Sequence, residues 1–142
     1  MRKTLSLALI ALMITALVGC GGGEPAIYPV KGTVKYSQGK AVTGGIIEFT
    51  SQAPESKGKN SSGNIQPDGS FELETPGRGK GAYAGDALVI LVNPPSEFDP
   101  TKGDVKKQSV FIPNRYSSYQ SSSLKAKVEP KENSISLVID PK

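Results

Sequence analysis

The chain has 142 residues, with 17 lysines and arginines against 13 aspartates and glutamates, no histidine, no tryptophan and one cysteine. That length suits one domain, and its basic residues are dispersed rather than massed, so the net charge of +4 carries no nucleic-acid footprint. Without histidine the chain lacks the commonest general base near neutral pH, which is also the commonest metal ligand, and a lone cysteine has no partner for an internal disulfide.

In chain order, Arg2 and Lys3 precede an apolar run from Leu5 to Val18 that is too short to span a bilayer comfortably, and the small Gly19 stands before Cys20. This is the layout of an export signal. The stretch Leu17-Val18-Gly19-Cys20 resembles the lipobox of bacterial lipoproteins. The resemblance implies a diacylglycerol on the Cys20 sulfur, cleavage between Gly19 and Cys20, and acylation of the new amino terminus. Two or three acyl chains exceed what one chain achieves in holding a protein to a membrane. The implied location is the cell envelope, anchored to a membrane and facing the periplasm. Gly21 in place of an aspartate favours the outer membrane under the enterobacterial sorting scheme. Residues 1–19 are thus expected to be a signal peptide, 20–27 a lipidated cysteine and glycine-rich tether, and 28–142 the folded domain. Gly21, Gly22, Gly23, Glu24, Pro25 and Ala26 have almost nothing to bury and read as a coil. With Arg2 and Lys3 removed, the remainder is nearly neutral.

From Tyr28 the apolar residues recur every second position, the mark of a half-buried strand. Tyr28, Val30, Val34 and Tyr36 face one way, and Lys31, Thr33 and Lys35 the other. The alternation returns at Phe71 and Leu73, at Leu124, Ala126 and Val128, and at Ile135, Leu137 and Ile139. Ile46, Ile47 and Phe49 supply another strand, and Val110 to Ile112 a short one stopped by Pro113. Ala87 to Val92 is unbroken and β-branched, as in a strand at the centre of the core. Turn formers separate these runs at Gln38-Gly39-Lys40, Pro67-Asp68-Gly69 and Pro130-Lys131-Glu132-Asn133, the last predicting a hairpin. Ser51 to Asn64 and Pro94 to Lys107 read as exposed loops. Sixteen glycines and eleven prolines argue against long helices. The expectation is an all-β fold, an antiparallel β-sandwich of about seven strands.

Val30-Lys31-Gly32-Thr33-Val34, Gly39-Lys40, Gly44 to Phe49 and Pro67 to Phe71 together resemble the carboxypeptidase-regulatory-like, or transthyretin-like, domain. With the lipobox and tether in front, the chain resembles small lipoproteins of planctomycete-type bacteria. Gly81-Ala82-Tyr83 and Ile112-Pro113-Asn114-Arg115-Tyr116 match the positions where those relatives carry Gly-x-Tyr and Ile-Pro-x-x-Tyr. The resemblance supports a fold and implies no activity. Val42 stands where the family has proline, and Ala84-Gly85 lengthen the run after Tyr83. A shifted register or bulge is expected near residues 40–45 and 82–87.

The remaining motifs are weak as sites. Gly77-Arg78-Gly79-Lys80-Gly81 lacks the Ser or Thr, parallel strand and helix of a phosphate loop and reads as a basic turn. Asp68 before Gly69 is turn chemistry, and Asp99 and Asp104 are spaced too widely for a calcium loop. Serines and lysines abound, but no pair stands out as nucleophile and base. The hydrolases of the transthyretin-like group use histidine and a terminal Tyr-Arg-Gly-Ser, both missing. Tyr116 and Tyr119, set among serines, are the candidate ligand contacts for a polysaccharide. The expected function is a non-catalytic, membrane-anchored module that contacts another envelope protein, with glycan binding as the alternative and a hydrolase as the weakest. No cofactor and no nucleic-acid partner are expected.

Overall fold

The computed structural model describes residues 23–95, 98–99, 101, 104–105 and 110–142. Gly19 and Cys20 lie outside the described residues, as does much of the predicted loop from Pro94 to Lys107. The described part is all-β apart from a single 3-10 turn at Asn114–Tyr116. Its strands are β1 (Ile27–Tyr28), β2 (Val30–Tyr36), β3 (Ile46–Ser51), β4 (Asn60–Asn64), β5 (Ser70–Glu72), β6 (Glu74–Thr75) and β7 (Gly79–Lys80). They continue with β8 (Ala82–Tyr83), β9 (Gly85–Val92), β10 (Phe98–Asp99), β11 (Asp104–Val105), β12 (Lys125–Val128) and β13 (Asn133–Ile139).

Six strands form one sheet in the order β12-β9-β3-β4-β6-β7, and three form another in the order β13-β2-β5. The pairs β1-β8 and β10-β11 stand apart as two-stranded ribbons. Val30, Val34, Phe71, Leu137 and Ile139 of the smaller sheet share one buried cluster with Ile47, Phe49, Val89, Leu91 and Val128 of the larger. The rings of Phe49 and Phe71 meet across the layers at a centroid distance of 6.4 Å. Each of these side chains contributes about 1.5–3 kcal/mol by leaving water. The central strand is β9, which pairs with β3 on one side and β12 on the other, as its unbroken apolar run predicts.

The structure corrects the expected topology at four places. Val128 and Asn133 do not flank a hairpin: β12 stays with β9 in the larger sheet, while β13 crosses to the smaller one and pairs in parallel with β2. The sandwich is therefore not wholly antiparallel. The lock on this crossing is Asn133, only 7% exposed. Its amide donates to Lys131 O at 2.6 Å, Glu129 O at 3.1 Å and Pro29 O at 3.3 Å, and accepts from Glu129 N–H at 2.8 Å.

The run Ser70 to Thr75 is not one strand either, because β5 pairs with β2 and β6 pairs with β4 and β7. Leu73 sits at the switch, fully buried, its N–H donating to Val30 O at 2.9 Å. Third, Ser51 to Asn64 is half hairpin: β4 pairs with β3 over five residues. Its polarity is internal. The hydroxyls of Ser51 and Ser56 bond at 2.7 Å, as do those of Ser61 and Thr75, and all four residues are buried. Buried polar groups are tolerated when each finds a partner, so a serine-rich strand can face a core.

Last, Val110 to Ile112 lies outside the strands. The Asn93 side chain takes the place of a neighbouring backbone, donating to Ile112 O at 2.8 Å and accepting from Ile112 N–H at 2.9 Å. Near residues 82–87, where a bulge was expected, the chain changes partner from β1 to β3 and β12 through Gly85 at φ +108.

Candidate functional site

Three surface features gather the chemistry-bearing residues. The first is the basic turn between β6 and β7. Gly77 at φ +71 and Gly79 at φ +95 let the chain reverse, with Arg78 N–H closing on Thr75 O at 2.9 Å. Arg78 then reaches back to the start of the described chain, pairing with Glu24 at 2.7 Å and donating to Pro25 O at 3.2 Å. Ile27 and Tyr28 follow directly as β1, paired with Tyr83 and Ala82. The segment read as a free tether is thus fastened to the body from Glu24 onward. Lys80 in the same turn bonds Glu72 at 2.8 Å, with Lys31 at 3.9 Å from the same carboxylate. The Lys80 hydrogen bond holds the Glu72 carboxyl below its usual range and raises the Lys80 ammonium in return.

The second feature is the segment from Pro113 to Ser123. The structure separates the two tyrosines that the sequence set together. Tyr116 is 6% exposed and belongs to the core; its hydroxyl accepts from Asp140 N–H at 3.0 Å and from Arg115 at 3.3 Å. Arg115 also lies over the Tyr116 ring, 4.8 Å from its centroid, and donates to Asp140 O at 2.7 Å. The Tyr116 ring therefore offers no open stacking face. Tyr119 is half-buried, and its hydroxyl donates to Glu48. Because Glu48 lies beside Ile90 in the ladder, Tyr119 must pass across β9 to reach β3. Ile90 points outward from the sheet yet is only 8% exposed. Asn60 donates to the same Glu48 oxygen at 3.2 Å and accepts from Thr50 at 2.6 Å. Burial, followed by the bond to Glu48, pushes the Tyr119 phenol up to about 12.

The third feature is an open groove of about 880 Å³ beside the Pro67–Gly69 turn, where the chain leaves β4 of the larger sheet for β5 of the smaller. Asn64, Gln66, Ser70, Glu72 and Glu74 give it a polar lining over the apolar Ile46 and Phe71. At its end Asp68 behaves as turn chemistry predicts: its carboxylate accepts from Ser70 N–H at 2.9 Å and Ser70 Oγ at 2.6 Å. Those bonds lower its pKa.

Among the described residues no three His, Cys, Asp or Glu side chains are placed to hold a metal ion. No helix among them is long and apolar enough to cross a membrane. Glu48, Arg115 and Asn133 were not singled out by the sequence, since an acid on a strand face, a basic residue next to tyrosine and an asparagine in a turn carry no spacing signal. No protein-family model, no curated protein and no solved structure matches this chain.

Proposed function

We propose that the chain is a lipid-anchored envelope protein whose all-β body acts by contact rather than catalysis. The observation that carries this reading is the lipobox-like Leu17-Val18-Gly19-Cys20 placed directly before an all-strand body. The clamp of Arg78 on Glu24 and Pro25 adds to it. Four residues from Cys20 to Glu24 reach at most about 14 Å, so an acylated Cys20 would hold the body against the bilayer. Basic and acidic side chains around Arg78 and Glu72 would then sit near the lipid headgroups. The buried hydroxyls of Ser51, Ser56, Ser61 and Thr75 bond one another or a backbone carbonyl, Gly81 O, and the one serine described on a carboxylate, Ser70 on Asp68, is spent within a turn. The alternative, glycan binding, would rest on Tyr119 and the groove beside β5, since the Tyr116 ring is enclosed.

Growth with an alkyne-labelled palmitate tests the anchor. Label should enter the wild-type protein, and Cys20→Ser should lose both the label and the membrane fraction. Unlabelled wild-type protein, or Cys20→Ser that still sediments with membranes, refutes the reading.

A further inference from the structure

β13 runs parallel to β2 at the edge of the smaller sheet, with Asn133 beside Val30 and Ile139 beside Tyr36. Asn133 N–H donates to Pro29 O at 2.9 Å, and Ser37 N–H donates to Ile139 O at 2.8 Å. The odd-numbered residues of β13 therefore spend their peptide groups on β2. By the alternation of a parallel ladder, Ser134, Ser136 and Val138 turn theirs outward to an edge that nothing pairs among the described residues.

This edge lacks the guards the other edges carry. Within Asn133-Ser134-Ile135-Ser136-Leu137-Val138-Ile139 there is no charge, no proline and no glycine. By contrast β12, the edge of the larger sheet, presents Lys125 and Lys127, and β7 at its far side is two residues long. Val138 is 58% exposed. A long, uncharged, unguarded edge is a template for another strand.

We infer that this edge pairs antiparallel with the same edge of a second copy of this chain, across a two-fold axis at Ser136. The strand is self-complementary in that register. Ser136 faces its own mate and Ser134 faces Val138 of the second copy, so the three outward peptide groups on each side engage in six hydrogen bonds. The register stops itself: Glu132 comes opposite Asp140 of the other copy, and the Asp140 backbone is already held by Tyr116 and Arg115. An isologous seam of this kind consumes the edge on both copies and closes at two, without fibre growth. A six-bond strand seam is small beside the surface of a stable dimer, so the pair is trapped more readily than it is isolated.

The test uses the full-length chain with Cys20→Ser, in mild detergent, under gentle copper-catalysed oxidation. Paired Cα atoms about 5.5 Å apart suit a disulfide, so Ser136→Cys should give on the order of tenfold more covalent dimer than Ser134→Cys. The latter would lie about 15 Å from its own counterpart. The double variant Ser134→Cys/Val138→Cys should regain the crosslink. Adding Ser134→Pro to Ser136→Cys removes an N–H that the fold leaves unused and should abolish trapping, with circular dichroism confirming the strands. Adding Glu132→Lys should raise it by placing a cation opposite Asp140. No crosslink from Ser136→Cys, or equal crosslinking from Ser134→Cys, overturns the inference.

Discussion

Asn133 is the residue on which the crossing between sheets depends, and removing its amide gives a measurable cost. The side chain makes four hydrogen-bond contacts, and the one to Pro29 O at 3.3 Å is weak because it is the longest and the amide's two hydrogens are already directed at Lys131 O and Glu129 O. Three good bonds at about 1 kcal/mol each put Asn133→Ala near 3 kcal/mol of lost stability. Asn133→Asp separates the bond pattern from mere volume. Its carboxylate faces the carbonyls of Glu129, Lys131 and Pro29 in place of a donor, so it should be the more damaging change at neutral pH. Repulsion favours the protonated acid, raising the folded-state pKa. The variant is then most stable below the ordinary carboxyl value and loses that stability as pH rises through the folded one. Urea unfolding followed by circular dichroism and tyrosine fluorescence measures both. A loss below about 1 kcal/mol for Asn133→Ala, or an Asp variant no weaker than Ala at pH 7 and indifferent to acid, refutes the assignment of the lock.

Gly32→Ala should cost more than about 3 kcal/mol or prevent folding, because a Cβ there would lie 2.0 Å from Ile135 O and 2.6 Å from the Phe71 ring; a near-neutral melting temperature would contradict this. Tyr119→Phe should remove a phenol titration raised to about 12, followed by ultraviolet absorbance against the wild type. Since that folded-state value is raised, the stability tied to it is present below about pH 10 and is lost as pH climbs toward 12. An unchanged titration curve would show that another tyrosine carries the shift. Asp68 is depressed by its bonds to Ser70, so its contribution is present above the ordinary carboxyl value and is lost as pH falls through the folded one. Asp68→Asn should flatten that acid limb, and an unaltered limb counts against the turn's role. A spin label at Gly23→Cys, in a Cys20→Ser chain, should gain mobility with Arg78→Ala; equal mobility would mean that Glu24 is not held.

Much of the local structure was legible in the sequence. Alternation at Val30 and Val34, at Leu137 and Ile139, and the continuous Ala87 to Val92 predicted strands that form, and Asp68-Gly69 predicted its own turn. Where the reading failed, polarity or proximity along the chain was mistaken for position. Ser61 is buried because Thr75, fourteen residues on, supplies its partner. Tyr116 is buried because Asp140 and Arg115 satisfy its hydroxyl, a match made across 24 residues in the first case.

The sequence by itself determined that this protein is built of strands and, within the alternating apolar runs such as Val30 to Val34 and Leu137 to Ile139, which side chains face inward, because side-chain alternation is a property of each strand alone. Only the tertiary structure decided which strands are neighbours. Backbone hydrogen bonds are nearly blind to side-chain identity, so the turn at Pro130 to Asn133 reads equally well as a hairpin or as a crossing. The choice falls to the buried Asn133 amide and to the space that β2 leaves beside it, which is also what leaves the outer edge of β13 unpaired among the described residues.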